Sequence, residues 1–547
     1  MTRITLKGQG PRDNDSRFLL DVHRRDLPGE ATMRRYEDND EVDLVVVGAG
    51  AGGSVLAQRL ARQGWRVVIL EAGPFWHPDE DWVSDEAGAH ELYWTENRII
   101  AGDDPIELGK NNSGRGVGGS MVHYAGYTPR FHPSDFRTQS EDGVGADWPL
   151  SYFDLKSHYE QVERELPVAG QNWPWGDPHT YPYSPHPITE SASLLWRGAM
   201  ARGITMKVGP VGIVNGVFGN RPHCIYRGWC LQGCKVNAKA SPYVTHLPDA
   251  LAHNVEVRAR SMAAEIVIDQ DSGRATGVRY FDQDKREHLQ RAAVVAIAGY
   301  SIETPRLLLN SVSARFPHGV GNNDDQVGRY VMVQGASQSA GRFPHEVRMY
   351  KGPPPEVSSE QFYETDESRG FARGFSIQTI SPQPIGWAEH VAAEGHWGGA
   401  LRSYMRDYNH WATIGTLNEL LPNAENRVTV ADERDHWGLP VAKYTHSLGE
   451  NDKANIEFSK KVLCDILEAA GAEEVLTIAR YAHLIGGARM GISPGNSVVD
   501  LHQRVWAVEN LYVADGSVAP TQGSANPALT IMALSSRLAE HLAKKAA

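Results

Sequence analysis

Hydrophobic and polar positions near the beginning of the chain follow a strand, a helix and a second strand. The apolar residues at 44–47 predict a buried strand, and the apolar run at 67–70 predicts another. Between them, four apolar residues recur at the spacing of one helical face: Val55, Leu56, Leu60 and Ala61. This pattern is typical of an α/β unit in which the two strands are neighbours in one sheet.

Glycines occupy the turn between the first strand and the helix, in the order Gly48-x-Gly50-x-x-Gly53. The first permits a tight turn, the second lets the backbone approach a pyrophosphate, and the third lets the helix pack on the strand. The helix N-terminus offers unpaired N–H groups and a positive dipole end to phosphates. Glu71 ends the second strand, where a carboxylate can accept hydrogen bonds from a ribose diol. These features together predict a bound adenine dinucleotide.

Composition narrows the class of partner. Of 547 residues, 41% are apolar and 22% are charged, as in ordinary globular proteins, and the length predicts more than one domain. The net charge of -13, from 54 basic and 67 acidic residues, argues against nucleic acid and an anionic membrane surface. No apolar run is long enough to span a membrane. The start of the chain, residues 1–9, lacks the apolar core of a secretory signal. The polar, charge-rich residues 1–40 are typical of an arm or of disorder rather than of a domain.

Four later segments also carry glycine or chemistry-bearing side chains. Gly114 to Tyr124 is dense in glycine, and a buried strand at Val294–Ala298 leads through Gly299 into a helix. His483 to Gly491 combines a histidine with a glycine pair, and Asp515 through Thr530 precedes an apolar helix at the end of the chain. Backbone in such segments is expected to lie close to something flat or charged.

In this order, the five segments resemble the glucose–methanol–choline family of FAD-dependent oxidoreductases, over nearly the whole chain from residue 41. The resemblance implies α/β plus α+β architecture: a discontinuous, Rossmann-like FAD-binding domain and a substrate domain built on an antiparallel sheet. It assigns residues 41–165, 245–315 and 476–547 to the FAD-binding domain. Residues 166–244 and 316–475 then form the substrate-binding domain.

The resemblance places His483 where the family keeps its catalytic histidine, and Asn526 at a second position that is His or Asn. A neutral imidazole can take the hydroxyl proton of an alcohol near pH 7, and the amide can hold the substrate oxygen. A histidine satisfied within the core is the alternative for His483. The implied cofactor contacts are Gly48, Gly50, Gly53, Glu71, Arg115, Gly118, Gly119, Ser120, His123, Asp515, Gly516, Asn526 and Pro527.

His123 departs from the asparagine that many family members carry. Relatives with covalently attached flavin, such as fungal pyranose oxidases, have a histidine after a similar glycine pair, followed by a sequence like Thr128 to Phe131 here. We therefore consider a histidyl–FAD bond, with a non-covalent polar contact as the alternative.

Three of the four cysteines, Cys224, Cys230 and Cys234, fall within eleven residues. Thiolates this close can converge on one soft metal centre. Three sulfurs suit a three-iron cluster, or leave one ligand position for His223 or another group. The segment 224–234 is similar to that of catalytic subunits of gluconate, fructose and glucose dehydrogenases, in which an iron–sulfur cluster passes electrons to a cytochrome. Structural cysteines and a zinc site are the alternatives.

We therefore expect an FAD-dependent dehydrogenase that oxidises a secondary alcohol of a sugar, sugar acid or glycoside. Electrons would leave through the iron–sulfur cluster to a partner, in the manner of enzymes that have a small subunit and a cytochrome acceptor. The alternative is a sugar or glycoside oxidase of the pyranose-oxidase type, which passes electrons to oxygen. The location stays open between the cytoplasm and a periplasm reached by co-export with a partner subunit.

Overall fold

The computed structural model describes residues 35–106, 108, 113–253 and 255–546. Most of the arm predicted at residues 1–40 lies outside these ranges. Its last residues return to the body of the protein, since the backbone N–H groups of Arg35 and Tyr36 both donate to Glu256 Oε2, at 2.8 and 2.9 Å.

Helices are distributed along the whole described chain. The α-helices are α1 (Ala51–Ala61), α2 (Thr138–Asp142), α3 (Tyr152–Glu165), α4 (Glu190–Ala201), α5 (His246–Ala252), α6 (Tyr300–Asn310), α7 (Pro384–Ala393), α8 (Gly399–Arg406), α9 (Glu450–Ala469) and α10 (Ala528–Ala546). Short 3₁₀ turns at Gly119–Val122, Cys230–Gln232 and Gly516–Val518 lie near the site described below.

Strands make three sheets. They are β1 (Val42–Val47), β2 (Val67–Leu70), β3 (Ile99–Ala101), β4 (Lys207–Val208), β5 (Val255–Arg258), β6 (Met262–Ile268), β7 (Ala275–Phe281), β8 (Glu287–Ile297), β9 (Met332–Arg342), β10 (Val357–Phe362), β11 (Phe375–Ile380), β12 (Trp411–Asn418), β13 (Arg427–Arg434), β14 (Pro440–Thr445), β15 (Glu474–Ile485) and β16 (Leu511–Val513).

The first sheet has the order β5-β2-β1-β8-β7-β6, with β16 also paired to β8. Strands β5, β2, β1, β8 and β16 are parallel, and β1 pairs Leu44 with Val67 on one side and with Val294 on the other. β8 is long enough to serve two partners, because its first half pairs antiparallel with β7 and its second half parallel with β1. The predicted strand–helix–strand unit is therefore β1, α1 and β2.

Both faces of this sheet are covered. Leu44 and Val46 pack with Leu56 and Leu60 of α1, whereas Val45 and Val47 belong to a second hydrophobic cluster on the opposite face. A parallel sheet covered on both sides requires strands that are apolar throughout, which explains why 44–47 is a continuous apolar run instead of an alternating one.

The second sheet is antiparallel, with the order β15-β9-β12-β11-β10-β4, and its two faces differ in polarity. One face carries Phe375 and Ile377, which pack with apolar residues of α4 and α9. The other carries Gln334, Gln338 and Gln378, and it faces the first domain. Alternation along the strands thus produces a dry face against helices and a polar face toward a cavity. The third sheet, β13-β14-β3, flanks the two.

The strand that carries His483 belongs to the antiparallel sheet. β15 runs from Glu474 to Ile485 and pairs with β9. The chain returns to the first sheet only after this strand, at β16.

Arg373, just before β11, is a buried link between the two parts of the molecule. Its Nε lies 2.7 Å from Glu419 Oε2 and its Nη1 lies 2.8 Å from Asp142 Oδ2, while Nη2 contacts Asp135 Oδ1. The side chains of Arg373, Asp135 and Glu419 are at most 1% exposed. Because removing one partner leaves carboxylates buried without a counter-charge, such an arrangement is costly to break.

Arg373→Met is expected to lower the free energy of unfolding by about 3–5 kcal/mol, since the buried carboxylates of Asp135 and Glu419 lose their cation. A drop in the midpoint of thermal unfolding measures this effect. Arg348→Met is the matched control, because the Arg348–Glu346 pair is 50% and 45% exposed and its loss should leave the midpoint nearly unchanged. Equal midpoints for the two variants would contradict the assignment.

Candidate active site

A single cavity joins the glycine turn after β1 to the carboxyl-terminal half of β15. Of the residues predicted from sequence, its lining includes Gly48, Gly50, Glu71, Gly119, Ser120, His123, His483, Asp515, Gly516, Asn526 and Pro527. Parts of the chain more than 400 residues apart in sequence thus meet around one space. The cavity lies at the carboxyl ends of β1 and β2, where parallel α/β sheets bind their ligands.

The glycine turn needs its glycines for reasons visible in the backbone. Gly48 has φ of 103°, and a Cβ there would lie 2.3 Å from the carbonyl oxygen of Ala298. Gly119, from the second glycine-rich segment, has φ of 59°, and a Cβ there would lie 2.6 Å from Gly50 Cα. The two glycine-rich segments therefore touch through bare backbone, and Gly118 N donates to Ala49 O at 3.0 Å to fix them together.

Glu71 lies next to the glycine turn, and backbone N–H groups occupy most of the acceptor positions of its carboxylate. Its Oε2 accepts from Ala49 N at 2.9 Å, and its Oε1 accepts from Gly73 N at 2.9 Å and Gly116 N at 3.1 Å. A carboxylate has about four lone-pair directions, so one remains for a ribose hydroxyl. Together with the open N-terminus of α1 in the same cavity, this arrangement fits the adenosine and pyrophosphate portions of FAD.

Gly53, Arg115 and Gly118 do not line the cavity. A Cβ on Gly53 would lie 2.1 Å from Gly48 O, so this glycine serves the contact of α1 with β1. Arg115 pairs with Glu96 at 3.6 Å and donates to Thr95 Oγ1 at 3.2 Å. Gly118 packs against Tyr243. The sequence pattern grouped residues that touch the cavity with residues that only support it.

An irregularity in strand β15 sets the backbone conformation of His483. The β15–β9 register shifts between Ala482 and Ile485, and His483 has φ of 56°, a left-handed conformation that is uncommon for a non-glycine residue. Such backbone costs of order 1–3 kcal/mol and persists only where the surroundings enforce it. Here Gln522 Nε2 donates to the carbonyl oxygen of His483 at 2.8 Å.

The hydrogen bonds of Gln334 determine which nitrogen of His483 carries the proton. Gln334 Nε2 donates to Gly523 O and Ala525 O, both at 2.8 Å, so its amide cannot be reversed without losing both bonds. Its Oε1 therefore faces His483 Nδ1, 2.7 Å away, and can only accept. The proton lies on Nδ1, and the lone pair lies on Nε2.

That lone pair faces Asn526. Asn526 Nδ2 donates to His483 Nε2 at 3.1 Å, and Asn526 Oδ1 is buried without a hydrogen-bond partner among the described residues. Burial, reinforced by the Arg480 guanidinium, lowers the pKa of His483 to about 4. The imidazole is therefore neutral at physiological pH, with a basic nitrogen beside an amide that can hold an oxygen.

Asp515 follows β16 of the parallel sheet and joins the turn at Gly516–Val518 to the beginning of α6. Its Oδ2 accepts from Tyr300 N at 2.8 Å and from Thr304 Oγ1 at 2.6 Å, and its Oδ1 accepts from Ser517 N at 2.8 Å. The carboxylate thus satisfies the first turn of α6 and positions the Gly516 turn along the cavity wall.

His123 lies on the opposite side of the cavity with a free ring nitrogen. Its Nε2 is buried without a hydrogen-bond partner among the described residues, and its ring packs edge-on to Tyr93 with centroids 5.0 Å apart. Burial and the nearby Lys239 ammonium lower its pKa to about 3. A neutral, unpartnered imidazole at this position can face a flavin.

The cysteine segment does not form a metal site. Within the ranges that the structure describes, no group of three or more His, Cys, Asp or Glu side chains has an arrangement that could hold a metal ion. Cys224, Cys230 and Cys234 are free thiols that share a small hydrophobic cluster with Tyr127. Burial raises the pKa of Cys230 to about 12, which favours the neutral thiol. The expected iron–sulfur cluster thus gains no support from the geometry.

Sequence reasoning missed the residues that organise the catalytic side chains. Gln334 and Gln522 bond to His483, and Gln338, Gln378 and Arg480 complete the cavity wall. A faint signal exists for two of them, because Gln334 and Gln338 are four residues apart in a strand and so share one face.

Comparison with known proteins identifies the family of the chain. Residues 43–330 and 422–535 match the amino- and carboxyl-terminal family models described as GMC oxidoreductase. The chain is 30% identical to 2-methyl-1,2-propanediol dehydrogenase of Mycolicibacterium austroafricanum, over 92% of this chain and 96% of that one. It is 29% identical to the fructose dehydrogenase large subunit of Gluconobacter japonicus, over 91% of this chain and 97% of that one.

The fold is also that of a solved flavoenzyme. The crystal structure of pyridoxine 4-oxidase from Mesorbium loti superposes with a TM-score of 0.66 at 16% identity, covering 92% of this chain and 99% of that chain. Both the expected resemblance and the expected fold class are confirmed. The chain belongs to the GMC oxidoreductase family and is an FAD-dependent oxidoreductase that acts on CH–OH groups.

Proposed function

We propose that the chain is a dehydrogenase that oxidises a secondary alcohol of a sugar, sugar acid or glycoside. The observation that carries this proposal is the fixed tautomer of His483, whose basic Nε2 lies beside the Asn526 amide on the wall of the dinucleotide cavity. The polar face of the antiparallel sheet supports a hydroxylated substrate, because Gln338 and Gln378 line the same cavity.

His483 and Asn526 would share the reacting hydroxyl group. When an alcohol binds, Asn526 Nδ2 would give up its hydrogen bond to His483 Nε2 and donate to the alcohol oxygen instead, and the alcohol would donate its own proton to the freed lone pair of His483 Nε2. As the proton transfers, the imidazole becomes cationic, and its Nδ1–H remains bonded to Gln334 Oε1. FAD, when bound, supplies the acceptor for the hydride that leaves the carbinol carbon.

The electron acceptor is proposed from the relatives. The fructose dehydrogenase relative is described as a large subunit, which supports a partner subunit for this chain. No step is assigned to an iron–sulfur cluster, because the three thiols lack the arrangement of a metal site. No helix within the described ranges is long and apolar enough to cross a membrane.

His123 has two proposed roles toward the cofactor. Its unpartnered Nε2 supports either a covalent bond to FAD or a polar contact with it. Precipitation of the holoenzyme with acid separates them: yellow colour that stays with the protein pellet marks a covalent bond, and colour in the supernatant marks a contact.

His483→Ala is expected to slow reduction of the flavin by an alcohol substrate about 10²–10⁴-fold, because the hydroxyl proton loses its acceptor. FAD content should be unchanged, since His483 lies at the far end of the cavity from the glycine turn. Anaerobic rapid-mixing absorbance measures the reduction rate. His253→Ala, on the exposed end of α5, is the control and should reduce at the wild-type rate. An equally fast His483→Ala enzyme would remove this residue from the mechanism.

The rate of flavin reduction should depend on pH through His483. Only the neutral imidazole accepts a proton, and its pKa is lowered to about 4, so the rate should stay level as the pH falls from roughly 8 to roughly 5. Below the pKa it should fall about tenfold per pH unit. A rate that already falls between pH 7 and 6 would indicate a base whose pKa is not lowered.

Turnover with a sugar substrate is expected to require an artificial dye and to yield little hydrogen peroxide in air. Dye reduction and oxygen consumption, measured side by side on one preparation, check this. Peroxide formed in proportion to the sugar oxidised would instead identify the alternative, an oxidase that passes electrons to oxygen.

A further inference from the structure

The polar face of the antiparallel sheet carries the guanidinium of Arg480 near the side-chain amides of Gln338 and Gln378. In the strand register, Gln338 pairs with Ile478 on one side and with Gly415 on the other, and Gly415 pairs with Gln378. Directly opposed residues project from the same face, as do residues two apart in a strand. Arg480, two residues after Ile478, therefore shares the cavity face with Gln338 and Gln378, and all three line the cavity.

Arg480 has no carboxylate partner. Its Nη1 donates to Gln338 Oε1 over a long 3.4 Å, and among the described residues no acidic side chain forms an ion pair with it. Burial lowers the pKa of the Arg480 guanidinium, and the nearby Tyr93 side chain acts in the opposite direction. Gln338 cannot neutralise the guanidinium, and its own amide Nε2 is directed to His390, 3.3 Å away.

Other charged side chains around the cavity are already satisfied. Arg306 pairs with Glu303 at 2.9 Å and with Asp435 at 2.5 Å, and Glu303 also receives Arg98 at 2.8 Å. Glu71 and Asp515 accept hydrogen bonds from backbone and hydroxyl donors, as described above. Arg480 is thus the one cation of the cavity lining that has no carboxylate partner among the described residues.

An uncompensated guanidinium on a partly buried wall has lost solvation without gaining an ion pair, which costs stability. An anion bound from the cavity would offset that cost, and guanidinium binds carboxylates in a planar, two-pronged geometry. Arg480 lies on the same strand as His483, and its charge reaches the His483 imidazole. A carboxylate on Arg480 would therefore place the rest of a small substrate near the base.

We propose that Arg480 binds the carboxylate of the substrate, so that this site prefers a hydroxylated acid, such as an aldonic acid, over neutral sugars and amino sugars. This inference rests on the proposed function and narrows its substrate class. Gln338 and Gln378, beside Arg480, would bind hydroxyl groups of the same molecule. A cationic amino sugar would instead be repelled by the guanidinium.

Equilibrium binding to the FAD-loaded enzyme tests the proposal without requiring turnover. Gluconate and gluconamide differ only in the charge of one end, and each is titrated while the perturbation of the oxidised flavin spectrum is recorded. Gluconate should bind about 10–100-fold more tightly than gluconamide, the range for a charge-assisted hydrogen-bonded pair. In Arg480→Met this ratio should fall to near one, and in Arg480→Lys it should keep an intermediate value, because the charge remains without the planar geometry.

Arg342→Met is the matched control. Arg342 ends β9 of the same sheet, pairs with Glu473 at 2.9 Å and lies outside the cavity lining, so the ratio should equal that of the wild type. Equal affinities for gluconate and gluconamide in the wild type, or an unchanged ratio in Arg480→Met, would overturn the proposal. If Arg480→Met loses FAD, or if its flavin no longer reacts with sulfite, while the ratio of gluconate to gluconamide affinity is unchanged, then Arg480 interacts with the cofactor and not with the substrate.

Turnover separates this inference from the proposed function. If neutral sugars reduce the flavin as fast as gluconate does and bind as tightly, the proposed function survives and the role of Arg480 is wrong. If the charge preference appears in binding but no alcohol reduces the flavin, Arg480 is an anion site and the proposed dehydrogenase activity is wrong.

Discussion

The hydrogen bond between Gln334 Oε1 and His483 Nδ1 is the contact on which the proposed chemistry of this molecule depends. It determines the tautomer of the imidazole, and it does so because two backbone carbonyls, Gly523 O and Ala525 O, fix the amide. Those carbonyls belong to the turn that delivers Asn526. The fully buried side chain of Gln334 therefore orients both the His483 imidazole and the turn that precedes Asn526. If the amide were reversed, Nε2 would carry the proton and could no longer accept one from an alcohol.

The two sheets contribute different groups to the site. The part of the cavity beside the parallel sheet is made largely of backbone, because Gly48 and Gly119 let neighbouring peptide segments pack closely at its wall. The antiparallel sheet supplies side chains, since Gln338, Gln378 and Arg480 line the same space. Arg373 joins the two bodies through buried polar contacts with Asp135 and Asp142, in addition to apolar packing. A link of this kind fixes orientation strictly, because each buried charge is satisfied in one arrangement only.

Burial explains the protonation states around the cavity. His483 and His123 both have pKa values lowered chiefly by desolvation, so both imidazoles are neutral in an interior that already contains the Arg480 and Lys239 cations. The same effect raises the pKa of the Cys230 thiol. Close spacing of Cys224, Cys230 and Cys234 in sequence brought them into one hydrophobic cluster, but spacing alone did not arrange their sulfurs as ligands.

Local sequence determined the parts of this protein whose physics is local. The run at 44–47, the glycine turn and Glu71 act within one strand–helix–strand unit, so their positions followed from periodicity and from the demands of a tight turn. His483 and Asn526 were predicted only through the order of motifs in a family. Tertiary structure decided the rest: that β15 joins the antiparallel sheet, that a bulge turns His483 into the cavity, and that Gln334, 149 positions away, selects its proton. Hydrogen bonds between distant strands depend on register and on the packing of two sheets, and neither leaves a periodic trace along the chain.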